Sequence, residues 1–225
     1  MSAPKKFTRR AMLQVSLGAT AGLATGNLNG QSDVSCETPT QTDGPFYPTH
    51  TQSDVDADLT IISGRTERAS GQIIYVSGQV LDDDLKAVPG ALVDVWQANA
   101  HGRYHHDDDP NPAPVDPNFQ GWAQIRTDDD GHCGFKTIIP GSYPVDEEWT
   151  RPPHIHFKVS KRGYHELTTQ MYFSGNELNN TDQLLLEIPE SERGKVVIDF
   201  TDGASNGDSG VQSGRFNIIL PRVKK

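Results

Sequence analysis

Cysteine is scarce: the 225 residues hold two, Cys36 and Cys133. Neither belongs to a paired spacing of the kind that binds zinc, and two are too few to staple a small fold. A disulfide between them and an unpaired, buried Cys133 are both open at this point. No apolar run approaches the roughly 20 residues needed to cross a bilayer, so no membrane insertion of the mature protein is expected. Positive charge is also short, with 20 Lys and Arg against 30 Asp and Glu and a net charge of −10. An acidic surface argues against nucleic acid and anionic membranes as partners.

The basic residues that do occur are concentrated at the start. Lys5, Lys6, Arg9 and Arg10 precede a weakly apolar, small-residue run to about Ala24, diluted by Gly18, Thr20 and Gly22. That is the grammar of an export signal, and the paired arginines after Thr8 fit the twin-arginine type. Residues 1–35 are therefore expected to be signal and linker, the remainder one catalytic domain, and the location periplasmic or secreted. Polar residues from 27 to 41 read as a linker that adds little to a core. From residue 36 onward 16 basic residues face 29 acidic ones, a net −13.

Helical periodicity is rare in the body, and strand-like runs dominate. Residues 71–81, 91–97, 122–127, 134–139, 154–160, 166–173, 195–200 and 216–220 are mostly rich in β-branched or aromatic residues and are separated by turn signals. This pattern predicts an all-β chain, a single β-sandwich domain with long loops and little helix. The first two runs look like a hairpin pair across Asp82–84 and Pro89-Gly90, and Asp128-Asp-Asp-Gly131 carries a hairpin signal. One short helix is expected over 181–188, with Thr181 or Asp182 near its N-cap and Pro189 ending it. Residues 101–120 form a long loop, and its Asp107-Asp-Asp109 reads as a solvated acidic turn because it lacks the glycine and distal glutamate of a calcium loop.

Within the run Trp149-Thr-Arg-Pro-Pro-His-Ile-His-Phe-Lys-Val159, alternation puts Ile155, Phe157 and Val159 on one strand face and His154, His156 and Lys158 on the other. Two imidazoles side by side on one face can share a metal ion, although a His-x-His pair by itself also suits a solvated or hydrogen-bonded pair. The two prolines stiffen the approach and hold Arg151 near whatever the histidines bind. Tyr104 and Tyr143 stand in tight, glycine-flanked contexts where a side chain can be aimed. Two phenols and two imidazoles suit a trivalent ion such as ferric iron better than zinc or calcium, since ionised phenolates supply two hard negative charges. Metal binding and phenol ionisation would then be coupled.

These residues carry a resemblance to a known family. Ala91-Leu-Val-Asp-Val-Trp-Gln-Ala-Asn-Ala-His-Gly-Arg-Tyr104, Asp116-Pro-Asn-Phe-Gln-Gly-Trp122, Thr137-Ile-Ile-Pro-Gly-Ser-Tyr-Pro144 and Arg151-Pro-Pro-His-Ile-His-Phe157 resemble the successive motifs of intradiol ring-cleavage dioxygenases, nearest the protocatechuate 3,4-dioxygenase type. Thr42-Asp-Gly-Pro-Phe-Tyr-Pro48 adds a fifth, so the likeness runs from about 42 to 220. It implies Fe(3+) as cofactor, with Tyr104, Tyr143, His154 and His156 as ligands and Tyr143 as the one that substrate displaces. It also implies Arg151 as the active-site arginine and Gln170 as a substrate-pocket residue. The implied substrates are a catechol, lignin-derived compounds included, and O2, with the ring opened between its two hydroxylated carbons to a cis,cis-muconate.

The chain departs from that pattern in places. It has no room for the helical N-terminal region of catechol 1,2-dioxygenases. Val145 stands where the protocatechuate type often has Trp, and Asp146-Glu-Glu148 makes the adjacent loop acidic. Protocatechuate enzymes build their sites from two different chains, which leaves a homo- or hetero-oligomer open. Two other functions compete: a cupin-like metalloenzyme and a non-enzymatic, transthyretin-like binding module. The cupin pattern wants a glutamate a few residues after the histidine pair, whereas the nearest downstream acid, Glu166, is ten residues past His156.

Overall fold

Alternation along the longest strand sets the architecture. In β1 (Ile73–Asp82) every second side chain is buried, so one face is committed to a core. The chain continues through β2 (Leu92–Trp96), β3 (Trp122–Arg126), β4 (His132–Ile138), β5 (Tyr143–Pro144), β6 (Thr150–Arg151), β7 (His154–Ser160) and β8 (Leu167–Phe173). A 3-10 turn at Glu177–Asn180 and two single-turn helices, α1 (Gln183–Leu186) and α2 (Glu190–Arg193), precede β9 (Val197–Ile198), β10 (Phe200–Asp202), β11 (Gln212–Arg215) and β12 (Ile218–Leu220). These come from a computed structural model that describes residues 36–49, 54–202 and 210–224. The expected signal, residues 1–35, lies outside the described residues.

One sheet has β1 at its centre, antiparallel to β4 and parallel to β11 over residues 74–77 and to β12 over residues 80–82. The other runs β3-β2-β7-β8-β9. Ile74, Val76 and Val80 from the first meet Val93, Val95, Ile155, Phe157 and Met171 from the second in one continuous core. Each such buried side chain contributes about 1.5–3 kcal/mol. All seven residues of β8 are buried, because the second sheet is covered on its outer face as well. That outer layer is made of loops around Trp96, Tyr104 and Trp122, with Phe46, Tyr47 and Tyr143 packed against them.

The all-β sandwich with little helix is as expected, and three local expectations change. β1 and β2 are not a hairpin: after the turn at 82–86 the Val88 amide bonds Val80 O at 2.9 Å, and the chain then crosses to the opposite sheet. The Asp-Gly turn at 128–131 forms, with Gly131 at φ +77°, yet it too joins strands of different sheets. Both turns are right locally, but the strands they join belong to opposite sheets, whose inner faces pack together in one core. Finally, residues 38–41 are no mere linker. The Thr38 hydroxyl accepts from Ile219 N at 2.8 Å, and the Gln41 amide bonds Thr168 O at 2.8 Å.

β11 went unseen in the sequence because Gln-Ser-Gly-Arg has little strand propensity. Its place is set by contacts. Gly214 lies flat under the Phe200 ring, which a Cβ would approach to 2.6 Å, and the link from β11 to β12 crosses Gly78 so closely that a Cβ there would overlap the Phe216 carbonyl.

Candidate metal centre

The register of the second sheet assembles the site. Trp122, Trp96, His156 and Gln170 are consecutive cross-strand partners in one row through β3, β2, β7 and β8, and His154 pairs with Tyr172 in a neighbouring row. A slip of one residue in β7 would turn both imidazoles into the core and bring Ile155 out, so the apolar alternation itself fixes where the imidazoles point. Both histidines are buried, at 2% and 3% exposure.

Their rings are held in different ways. His154 Nδ1 lies 2.7 Å from Pro152 O, so Nδ1–H donates there and Nε2 keeps its lone pair. His156 Nδ1 has no hydrogen-bond partner among the described residues; its ring instead stacks on Trp96, with centroids 4.8 Å apart and planes 13° from parallel. Both Nε2 atoms face one phenol. The Tyr104 hydroxyl oxygen is 3.3 Å from His154 Nε2 and 3.1 Å from His156 Nε2.

Two glycines bring the tyrosines together. Gly102, at φ +79°, passes so near Ser142 that a Cβ would overlap its carbonyl oxygen, and a Cβ on Gly141 would strike Gly102 N. Asn99 ties the same junction, its carbonyl accepting from Gly102 N at 3.0 Å and Gly141 N at 2.9 Å. The segments bearing Tyr104 and Tyr143 therefore pack backbone on backbone, and the two rings meet edge to face at 5.7 Å. Asp109 is part of this frame. It is buried, and its carboxylate accepts from Tyr104 N at 2.7 Å and Asn111 N at 2.9 Å, so of the acidic turn expected at 107–109 only Asp107 and Asp108 are exposed to solvent while Asp109 is turned inward.

Arg151 pairs with Tyr143 across the β5–β6 ribbon. Its Nη1 stands 3.1 Å from His154 Nε2, and Nη2 donates to Gln170 Oε1 at 2.8 Å and to the Tyr172 hydroxyl at 3.1 Å. Gln170 in turn donates to Thr42 O at 3.0 Å, so its side-chain amide links Arg151 to the segment that begins at Thr42. The remaining edge of the guanidinium is taken by Asp182, with Nε to Oδ1 and Nη2 to Oδ2 both at 3.1 Å. Sequence reasoning saw Asp182 only as a helix cap, and it missed Trp96 and Tyr172. Trp96 becomes visible only once the β2–β7 register is known.

Electrostatics fit a cation. Burial, then the Arg151 charge, hold both imidazoles well below their usual pKa, so both are neutral at neutral pH. Burial pushes the phenols of Tyr104 and Tyr143 up, while Arg151 pulls both back, so their ionisation calls for a further positive charge nearby. No three His, Cys, Asp or Glu side chains gather among the described residues. The donors are two imidazoles and two phenols, and gaps of 3.1–3.3 Å between the phenol oxygen and the two imidazole nitrogens suit groups that each reach one ion at about 2 Å. Two neutral imidazoles and two phenols form a donor set whose chemistry suits ferric iron. Cys36 and Cys133 are both free, and Cys133 lies on β4 of the opposite sheet.

Residues 42–221 match the protein-family model described as Dioxygenase. The protocatechuate 3,4-dioxygenase beta chain of Burkholderia cepacia is 40% identical over 161 residues, which are 70% of this chain and 68% of that one. A catechol 1,2-dioxygenase of Candida albicans is 34% identical over 123 residues, 49% of this chain and 39% of that enzyme. Among solved structures, the dioxygenase domain of a dioxygenase carbohydrate-binding protein fusion from Streptomyces sp. SirexAA-E superposes with a TM-score of 0.61 at 28% identity, covering 83% of this chain and 99% of that domain.

Proposed function

The chain belongs to the intradiol ring-cleavage dioxygenase family, and from that premise we propose that it opens catechol rings with O2 at a ferric centre held by Tyr104, Tyr143, His154 and His156. The observation that carries this is the approach of both Nε2 atoms to the one Tyr104 oxygen at 3.1 and 3.3 Å. Family membership leaves no place for the cupin or transthyretin-like alternatives, which shared only the histidine pair or the sandwich.

When bound, the iron would supply Lewis acidity and a template for the two catechol oxygens. The protein's own groups divide the remaining work. His154 and His156 hold position as neutral donors with fixed ring orientations. Tyr143, half-buried on the short β5–β6 ribbon, is the less enclosed phenol; as the phenolate that a bound cation would stabilise, its oxygen can take up a substrate proton and become a neutral hydroxyl. Arg151, buried and permanently charged, supports negative charge that develops on the bound ring.

Substrate charge is where the rim matters. Asp146, Glu147 and Glu148 are exposed on the turn that joins Tyr143 to Arg151. Such a rim disfavours carboxylated catechols over neutral ones through repulsion that salt screens. Oxygen uptake over catechol, protocatechuate, hydroxyquinol and an alkyl catechol tests both points. The neutral catechols are expected to be faster, and kcat/KM for protocatechuate alone should rise severalfold between about 10 and 150 mM salt. If an iron-loaded preparation consumed no O2 with any of the four, the dioxygenase reading would be wrong.

The second half of the proposal is export by the twin-arginine route to a periplasmic or extracellular site, supported by Arg9-Arg10 and the diluted apolar run after them. That route moves folded proteins, so metal can be inserted first. Arg9→Lys with Arg10→Lys should retain the protein inside the producing cell, and unchanged secretion would overturn the assignment.

A further inference from the structure

Asp182 has more partners than its local role requires. It is fully buried at the N-cap of α1, and each carboxylate oxygen accepts two bonds. Oδ1 takes Trp149 Nε1 and Arg151 Nε, and Oδ2 takes Arg151 Nη2 and Leu185 N, all at 3.1 Å. Capping uses only the bond from Leu185 N, and Asn or Ser would cap a helix as well as Asp does. The charge therefore needs another explanation. Stability does not provide one, because a buried ion pair gains little over well-packed neutral groups of the same volume.

The geometry of the guanidinium supplies the explanation. Arg151 has three nitrogens. Asp182 occupies the edge formed by Nε and Nη2, while Gln170 and Tyr172 receive further bonds from Nη2. Nη1 is the nitrogen left outside this frame, and it points at His154 Nε2, 3.1 Å away, in the middle of the proposed donor set. A planar, delocalised cation gripped along one edge can present its opposite corner in only one direction. Asp182 itself lies outside every sequence motif that surrounds the histidines and tyrosines, on the segment that follows β8.

We propose that Asp182 is a positioning residue for ring cleavage: by clamping the Nε–Nη2 edge it aims Arg151 Nη1 at the place where the substrate ring binds. This rests on the dioxygenase reading above. The carboxylate touches neither the donor set nor substrate, and it acts only through Arg151.

The test uses the iron-loaded full-length enzyme with Asp182→Asn and, separately, Asp182→Ser. Both substitutes can still cap α1, and neither carries the charge that grips the guanidinium. Each is expected to keep its iron and to lose about 10- to 100-fold in kcat with KM changed by less than about threefold, the scale of a catalytic group moved slightly out of place. Placed on an Arg151→Lys background, Asp182→Asn should cost less than about threefold more, since the group it aims is already gone. In the wild type the Arg151 Nε–H should exchange slowly with solvent, and in both variants it should exchange fast; this readout needs no turnover.

Wild-type kcat in a folded variant, or losses that multiply fully on the Arg151→Lys background, would overturn the proposal and leave Asp182 as a helix cap. Failure of both variants to fold would also overturn it, by placing the residue in folding alone. A wild-type enzyme inactive on every catechol would count against the proposed function, whereas an active one with indifferent variants counts against Asp182 alone.

Discussion

Tyr104→Phe is expected to yield a folded protein that has lost at least about 100-fold in iron affinity, most of its visible tyrosinate absorption and all measurable O2 uptake. The ring itself is structural: it packs 4.9 Å from Phe46 and 5.7 Å from Tyr143, contacts that a phenylalanine keeps. What disappears is the single oxygen that both imidazole nitrogens face. Among the described residues no carboxylate stands by to replace it, since the Asp109 and Asp182 side chains are spent on backbone and guanidinium partners. His156→Ala should lose the metal as well, but it also removes the stack on Trp96, so a fall in thermal stability will accompany it. Tyr104→Phe is the cleaner experiment. Full iron occupancy in that variant, measured by metal analysis beside its melting temperature, would sink the ligand assignment.

Much of this site could be read before any fold was known, for a physical reason. His154 and His156 lie on a strand whose alternate residues are strongly apolar, so period-two patterning placed both imidazoles on one face. Tyr104 and Tyr143 were marked by their glycines, and the close approach of Gly102 to Ser142 and of Gly141 to Gly102 shows what those glycines permit. Asp182 and Tyr172 were harder to see. Their roles depend on a fold that brings residues 151, 170, 172 and 182 around one guanidinium, and no local pattern encodes that meeting. The hairpins misread at 82–90 and 128–131 fail in the same way: turn chemistry is local, while the choice of sheet is made by pairing with strands distant in sequence. β11 shows the extreme case, a strand of polar residues and glycine held by β1 and Phe200.

Arg151 should separate metal binding from chemistry. Its guanidinium cannot ligate a cation, so substitution leaves the two imidazoles and two phenols in place and with them the iron. Arg151→Lys is expected to retain iron and the spectral shift on adding catechol, yet to lose about 10²-fold in turnover, near the scale for removing one preorganised electrostatic donor. A lysine offers one nitrogen where the arginine engages Asp182, Gln170 and Tyr172 and still directs Nη1 toward His154. Arg151→Ser should lose up to about 10³-fold and melt at a lower temperature too. It leaves the fully buried Asp182 carboxylate without its cation, a loss of about 3–5 kcal/mol. Comparing the two variants distinguishes the contributions, because the stability loss belongs mainly to Ser while the turnover loss is common to both. Should Arg151→Lys bind catechol with its usual shift and consume O2 at the wild-type rate, the arginine is a bystander to the reaction; should it arrive without iron, its contact with His154 is what keeps the metal site assembled.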